Sequence, residues 1–258
     1  RRWLTSVYDW TGLSGLLYRS LPAAIIAMTL TALTVIAYAV VTNFDLEKIM
    51  HTGHIFEMVA IGTVFTVILL PNLLRMWNFI ILKPGIKVPF KNYVTGLRDL
   101  VVHMFTQKRT LGCDDSQVRW FEHLILVFGY LGLLFTTVFL NWFSSESTFV
   151  IALGYVVSII IFTVTVIFVS ERIRKRRALS KKSQPSDWMF VVWLFMMGLS
   201  AFAVRLFIDL GILQNNIWLY LAHMIILVQW ALVIVPFGKW THFLYRSFAM
   251  YFDAIKKN

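Results

Sequence analysis

Uncharged apolar runs, broken by short polar connectors and by two long basic ones, set the pattern of this chain. Residues 21–42 carry no charge, and residues 55–82 hold Glu57 early and turn amphipathic after position 74. Residues 124–142 follow His123, residues 149–170 are unbroken, residues 188–210 include Arg205 and Asp209, and residues 217–235 include His223. A bilayer core is crossed by roughly 20 apolar residues of helix. An irregular chain there would strand amide groups at a cost of several kcal/mol each. The pattern therefore predicts an all-α fold, a polytopic membrane helix bundle with about six transmembrane helices in one domain covering residues 1–258.

Two further stretches have a shorter apolar period. In residues 89–107, Phe90, Val94, Leu97, Val101 and Met104 recur at helical spacing, with Lys91, Arg98 and Asp99 on other faces. Trp240, Phe243, Leu244 and Phe248 do the same in residues 239–254. Both predict amphipathic helices at a membrane surface. No internal repeat is visible, so the pattern gives an inverted-repeat transporter no support.

Composition strengthens this picture: 59% of the 258 residues are hydrophobic and 16% aromatic, more than a water-facing surface tolerates. The formal charge of +11 is concentrated in two connectors. Lys83, Lys87, Lys91, Arg98, Lys108, Arg109 and Arg119 lie in the second, and Arg172, Arg174, Lys175, Arg176, Arg177, Lys181 and Lys182 in the fourth. The first, third and fifth together hold only Lys48. The lysine and arginine bias predicts a multi-pass protein of the cytoplasmic membrane with both termini and both basic connectors inside. The run ERIRKRRALSKK could also meet lipid headgroups or a nucleic acid, but it reads better as a topology signal, and no nucleic-acid partner is expected. Cys113 is the only cysteine, which excludes an intrachain disulfide and a cysteine-ligated cluster or structural zinc. Arg1, Arg2 and Trp3 do not resemble a secretory leader, and the expectation is a membrane portion of something longer.

Ionisable groups in or beside spans are costly and point to function. Of the six histidines, His54 is expected at the start of the second helix, and His223 about two turns into the sixth from the same face. His123 is expected at the start of the third helix on the opposite face, with His242 just past the sixth. These form two depth-matched pairs, as two bis-histidine haems near opposite faces require. The nineteen residues from His223 to His242 would span roughly 28 Å of straight helix and end about 100° off the starting face, with Pro236 and Gly238 available to kink the chain back. His51, one turn before His54, is a rival ligand, and His103 is expected at the surface. Interfacial histidines without a cofactor are the plainer alternative.

The stretch RWFEHLILVFGYLGLLFTT, preceded by LRDLVVHMFTQKR, resembles the b-type cytochromes of the superfamily that includes the nitrate reductase gamma chain and the membrane chain of heterodisulfide reductase. The tail HMIILVQWALVIVPFGKWTHFLYRSFAMYF is similar to that superfamily's last helix. Within it, the six-span layout and the YRSFAMYF ending look most like the membrane domain of the quinone-interacting membrane-bound oxidoreductases. The resemblance implies two haem b groups and electron exchange between a membrane quinone, menaquinone or another, and soluble iron–sulfur and flavoprotein subunits on the cytoplasmic face. His123, His223 and His242 match motif histidines, while His54 rests on depth. The nitrate reductase gamma pattern has two histidines on an early helix where the third helix here has only His123. In the quinone-interacting oxidoreductases the membrane domain follows an amino-terminal iron–sulfur domain that this sequence lacks.

A quinone headgroup needs hydrogen-bonding and ionisable neighbours. Glu57 is the candidate for exchanging its proton, and Arg205, with Asp209 at i+4, for anchoring a haem propionate or the quinone carbonyl; the alternative is a structural ion pair beside a capping Glu57. A proton-coupled transporter and a haem-free membrane anchor are the competing functions. The first would thread polar groups through the middles of several spans, whereas here they collect near the ends.

Overall fold

A computed structural model describes residues 4–106, 117–175, 185–238 and 240–256. Arg1, Arg2, Trp3, Lys108, Arg109, Cys113, Arg176, Arg177, Lys181 and Lys182 lie outside the described residues, as do the side chains of Arg119 and His242. Among the described residues there is no strand.

Two short helices, α1 (Leu4–Tyr8) and α2 (Leu13–Arg19), precede α3 (Leu21–Val41). The continuous helix α4 (Leu46–Leu82) is followed by α5 (Phe90–Thr106). Helix α6 (Gln117–Leu134) continues through a π-turn at Phe135–Phe139. Then come α7 (Thr148–Arg174), α8 (Pro185–Asp209), α9 (Ile217–Gln229, extended by a π-turn at Trp230–Ile234 and by Val235–Phe237) and α10 (Trp240–Ile255). Six of these are long and apolar enough to cross a membrane: Leu21–Val41, Leu46–Leu82, Trp120–Phe139, Thr148–Arg174, Trp188–Asp209 and Leu213–Phe237. The chain is a multi-pass membrane protein, and each expected span falls on one of them.

The second span differs most from expectation. It begins at Leu46 because Asp45 caps it: Asp45 Oδ1 accepts the Lys48 amide at 3.2 Å, and Lys48 Nζ sits 3.0 Å from Oδ2, which holds the Asp45 carboxyl below its usual range. Before the cap, Asn43 and Phe44 take positive φ, ending α3 in a left-handed turn. At 37 residues, α4 is about 55 Å long, far beyond the roughly 30 Å of a hydrocarbon core.

The chain divides into two compact units, and the first comprises Arg1–Ala23, Gly62–Leu124 and Ile234–Asn258. Its core joins Leu69, Leu73, Met76 and Ile81 of α4 to Tyr245, Phe252 and Ile255 of α10. Pro71 has no amide to offer the Val67 carbonyl, and the Trp10 indole donates to that carbonyl instead, at 2.9 Å. Asn72, fully buried, accepts the Trp10 amide at 2.9 Å and donates to the Tyr245 hydroxyl at 2.8 Å; burial pushes that phenol up to about 12. The two amphipathic helices are not solitary surface helices, because they pair. A Cβ at Gly96 would come 2.6 Å from Ile255, Tyr251 donates to the Tyr93 carbonyl at 2.8 Å, and Phe90, Val94, Leu97 and Val101 remain exposed on the far side of α5.

Between the sixth span and α10 the helix is broken, so His223 and His242 do not share one straight helix. Pro236 supplies no amide, and at Gly238 the chain turns extended and folds over the Ile234 carbonyl, which accepts the Gly238 amide at 2.8 Å. A Cβ at Gly238 would collide with that carbonyl oxygen. Gly238→Ala is therefore expected to destabilise the chain by about 1–3 kcal/mol, read from thermal unfolding in detergent; an unchanged midpoint would contradict this account of the turn.

The second unit comprises Ala24–Ile61 and Ile125–Val233. Helices α7 and α8 meet through small residues, with a Cβ at Gly198 coming 2.9 Å from Ile161. The ring of Trp142, wholly buried, lies flat on Gly154, where any Cβ would strike it. The span middles are not entirely bare. Buried Gln229 donates to the Met28 carbonyl at 3.0 Å and accepts the Trp193 indole at 2.9 Å, fastening α3 and α8 to α9. Beside it the Trp230 indole donates to the Tyr130 hydroxyl of α6 at 2.9 Å, so these polar groups tie helices together in pairs.

Candidate functional site

In the second unit, α9 buries Tyr220, Leu221, His223, Met224 and Ile226, a nearly all-round apolar surface in which one imidazole stands out. His223 is 2% exposed. Its Nδ1 lies 2.9 Å from the Ser200 hydroxyl of α8, which in turn reaches the Met197 carbonyl at 3.3 Å. Its Nε2 is buried and meets no hydrogen-bonding partner. Phe143 stands edge-on to the imidazole with ring centres 5.3 Å apart, and the Tyr220 ring centre lies 6.4 Å away. A buried polar atom without a partner costs about 1–3 kcal/mol, so the arrangement is one that a ligand at Nε2 would relieve.

Helix α4 reaches this level through Gly53. A Cβ there would come 2.8 Å from the Tyr220 hydroxyl and 2.9 Å from the Met224 sulfur, so only glycine lets the α4 backbone lie this close to α9. His54 follows directly. It does not open its helix, as the sequence implied, but sits eight residues beyond Leu46, about 12 Å along the axis; His223 is six residues beyond Ile217, about 9 Å. The buried stripe of α4 runs through Leu46, Ile49, Gly53, Glu57 and Ala60. At 100° per residue, His54 flanks that stripe while His51 points away from it, matching the half-buried state of one and the exposed state of the other. His54 Nδ1 is 3.8 Å from the carboxyl group of Glu57, too long for a hydrogen bond, and Glu57 is itself buried.

Arg205 is 4% exposed, and its terminal nitrogens are committed to protein acceptors. One donates to the carbonyls of Trp142, Phe143 and Ser145, the other to Asp209 at 2.7 Å. Asp209 also accepts the Tyr155 hydroxyl at 2.6 Å. Helix α6 ends at Phe139, and Asn141 takes a positive φ, leaving the carbonyls of this turn without helical partners; Arg205 gathers them. Of its donors only Nε has no partner, so the guanidinium has little left to offer a quinone or a propionate. By clamping residues 142–145 it holds the segment that carries Phe143 against His223.

The second expected pair lies in the first unit. His123 is exposed, about 90° round α6 from the buried face formed by Leu126, Gly129 and Leu133. It stands six residues inside α6 rather than at its start. His242 lies in the first turn of α10, beyond the break at Gly238. His103 is half-buried on α5, with Nδ1 unpartnered.

These residues fit an axial haem ligand best at His223, through its buried and unpartnered Nε2 and its held Nδ1. His54 fits by level, flanking the face of α4 that meets α9, and His123 flanks the buried face of α6. No protein-family model matches the chain, nor does any curated protein or any solved structure.

Sequence reasoning missed Ser200, Phe143, Gly53 and Tyr220. The signal for Gly53 was present, as a glycine next to a histidine within an apolar helix. A serine among apolar residues and a phenylalanine in a turn carry none that separates them from ordinary helix and loop residues.

Proposed function

We propose that this chain is a dihaem b-type cytochrome, the membrane component that carries electrons between a quinone pool and soluble iron–sulfur and flavoprotein subunits. The observation that carries the reading is the buried His223, whose Nδ1 is engaged and whose Nε2 has no hydrogen-bonding partner, at the level where α4 brings in His54. His54 and His223 would hold one haem and His123 and His242 the other. Haem supplies a one-electron couple when bound.

The chain's own residues supply the rest. Apolar α9 and Phe143 keep water from the His223 imidazole, and Ser200 orients it. Glu57, buried one turn beyond His54, is the group that exchanges a proton with a quinone; Arg205 serves the fold instead. The basic connectors argue for both termini on the cytoplasmic side of the cytoplasmic membrane, where Lys83, Lys87, Lys91 and Arg98 offer a soluble partner complementary charge. Against a proton-coupled transporter stands the engagement of mid-span Gln229 by two partners of its own.

The test is reduction by a quinol. Adding a short-chain quinol to the oxidised, purified chain should raise the α-band of a low-spin b haem, and Glu57→Gln should slow that rise at least tenfold without changing haem content. A haem that dithionite reduces and no quinol does would contradict the quinone assignment.

A further inference from the structure

The hydrogen bond between Ser200 and His223 does more than fill space. A carbonyl only accepts, so when the Ser200 hydroxyl bonds to Met197 O, 3.3 Å away, it does so with its single hydrogen. The Ser200 oxygen can then face His223 Nδ1, 2.9 Å away, only as an acceptor. In that arrangement the proton of the neutral imidazole sits on Nδ1, and the lone pair on Nε2, the buried atom without a partner. Both side chains are buried, so water does not compete for the bond.

We propose that Ser200 is a positioning residue for the ligand His223: it fixes the tautomer that presents Nε2 to iron and, by accepting from Nδ1–H, raises the electron donation of the imidazole. This rests on the haem reading above and adds to it a control over one of the two sites. A hydrogen bond at the far nitrogen of a metal-bound histidine typically changes metal affinity about 10- to 100-fold when removed. Stronger donation favours the ferric state and lowers the midpoint potential of that haem alone. Its sequence signature is only a serine in LFMMGLSAFAV, five residues before Arg205 on the same helix. Helix α8 therefore supports His223 twice, directly through Ser200 and through the clamped turn carrying Phe143.

The experiment is a spectroelectrochemical titration of the 258-residue chain in detergent, comparing wild type with Ser200→Ala and Ser200→Thr, alongside haem retention during dilution. For Ser200→Ala, one of the two midpoint potentials is expected to rise while the other stays, and one haem is expected to be lost at least tenfold faster. Ser200→Thr, which keeps the hydroxyl, should restore both. Loss of a single haem in Ser200→Ala with recovery in Ser200→Thr supports the proposal equally. Two haems with unmoved potentials and retention in Ser200→Ala would overturn it while leaving the haem reading intact. A wild-type chain without haem would overturn both.

Discussion

His223→Ala is expected to leave a folded chain that has lost one of its two haems entirely. The substitution removes a buried ring but strands no new polar group, since the Ser200 hydroxyl retains the Met197 carbonyl. The α-band should fall to about half, with the surviving haem unchanged in potential, because each histidine pair lies within its own unit. His54→Ala should remove the same haem. His51→Ala should remove none, because His51 lies on the far side of α4 from the Gly53 contact. Absorbance per milligram of the three variants distinguishes these outcomes. Loss of a haem in His51→Ala with retention in His54→Ala would exchange the two histidines.

Arg205→Leu should be the most destabilising single change, at about 3–5 kcal/mol. It would strand the carbonyls of Phe143 and Ser145, leave the Trp142 carbonyl only the long bond from the Ser145 amide, and take from Asp209 its guanidinium partner. Lysine should recover part of this, since a compact ammonium cannot fork to several carbonyls and a carboxylate together. Asp209→Asn should cost less, because Asp209 is 32% exposed and keeps its Tyr155 bond. Thermal unfolding in detergent measures all three. A stable Arg205→Leu chain that fails only in quinol oxidation would return Arg205 to the quinone site.

The six spans were legible because lipid imposes one requirement, a long run of apolar residues, that sequence displays directly. Their ends were less so. The start of α4 at Leu46 depends on Asp45 capping a helix whose first turns, LEKIMHTGH, are not apolar, and hydropathy is blind to caps. The turn between the short helices α1 and α2 is closed locally by Asp9, which accepts the Thr11 and Ser14 amides, but its place depends on bonds from Trp10 to Val67 and to Asn72 that no local pattern encodes. The break at Gly238 was half-visible in the Pro236 and Gly238 pair, which signals a bend without saying whether the helix survives it.

The candidate site was legible through its costly residues. Histidine, glutamate and arginine in apolar helices stand out by their type, and three of those singled out, Glu57, Arg205 and His223, are buried in the second unit. What they do there depends on neighbours whose types are ordinary. Arg205 could have faced a cofactor or a turn, and the geometry of the Trp142–Ser145 carbonyls decides for the turn. The glycine that lets α4 meet α9 matters through what lies opposite it, which only the fold reveals.

The claim on which the account turns is that imidazoles from separate helices bind iron porphyrin at two places in this chain. A pyridine haemochrome assay against protein concentration, made on the purified wild-type chain, tests it most directly. The account predicts two b haems per polypeptide with low-spin bands on reduction by dithionite; a colourless preparation, or a high-spin haem with an open axial position, would contradict it.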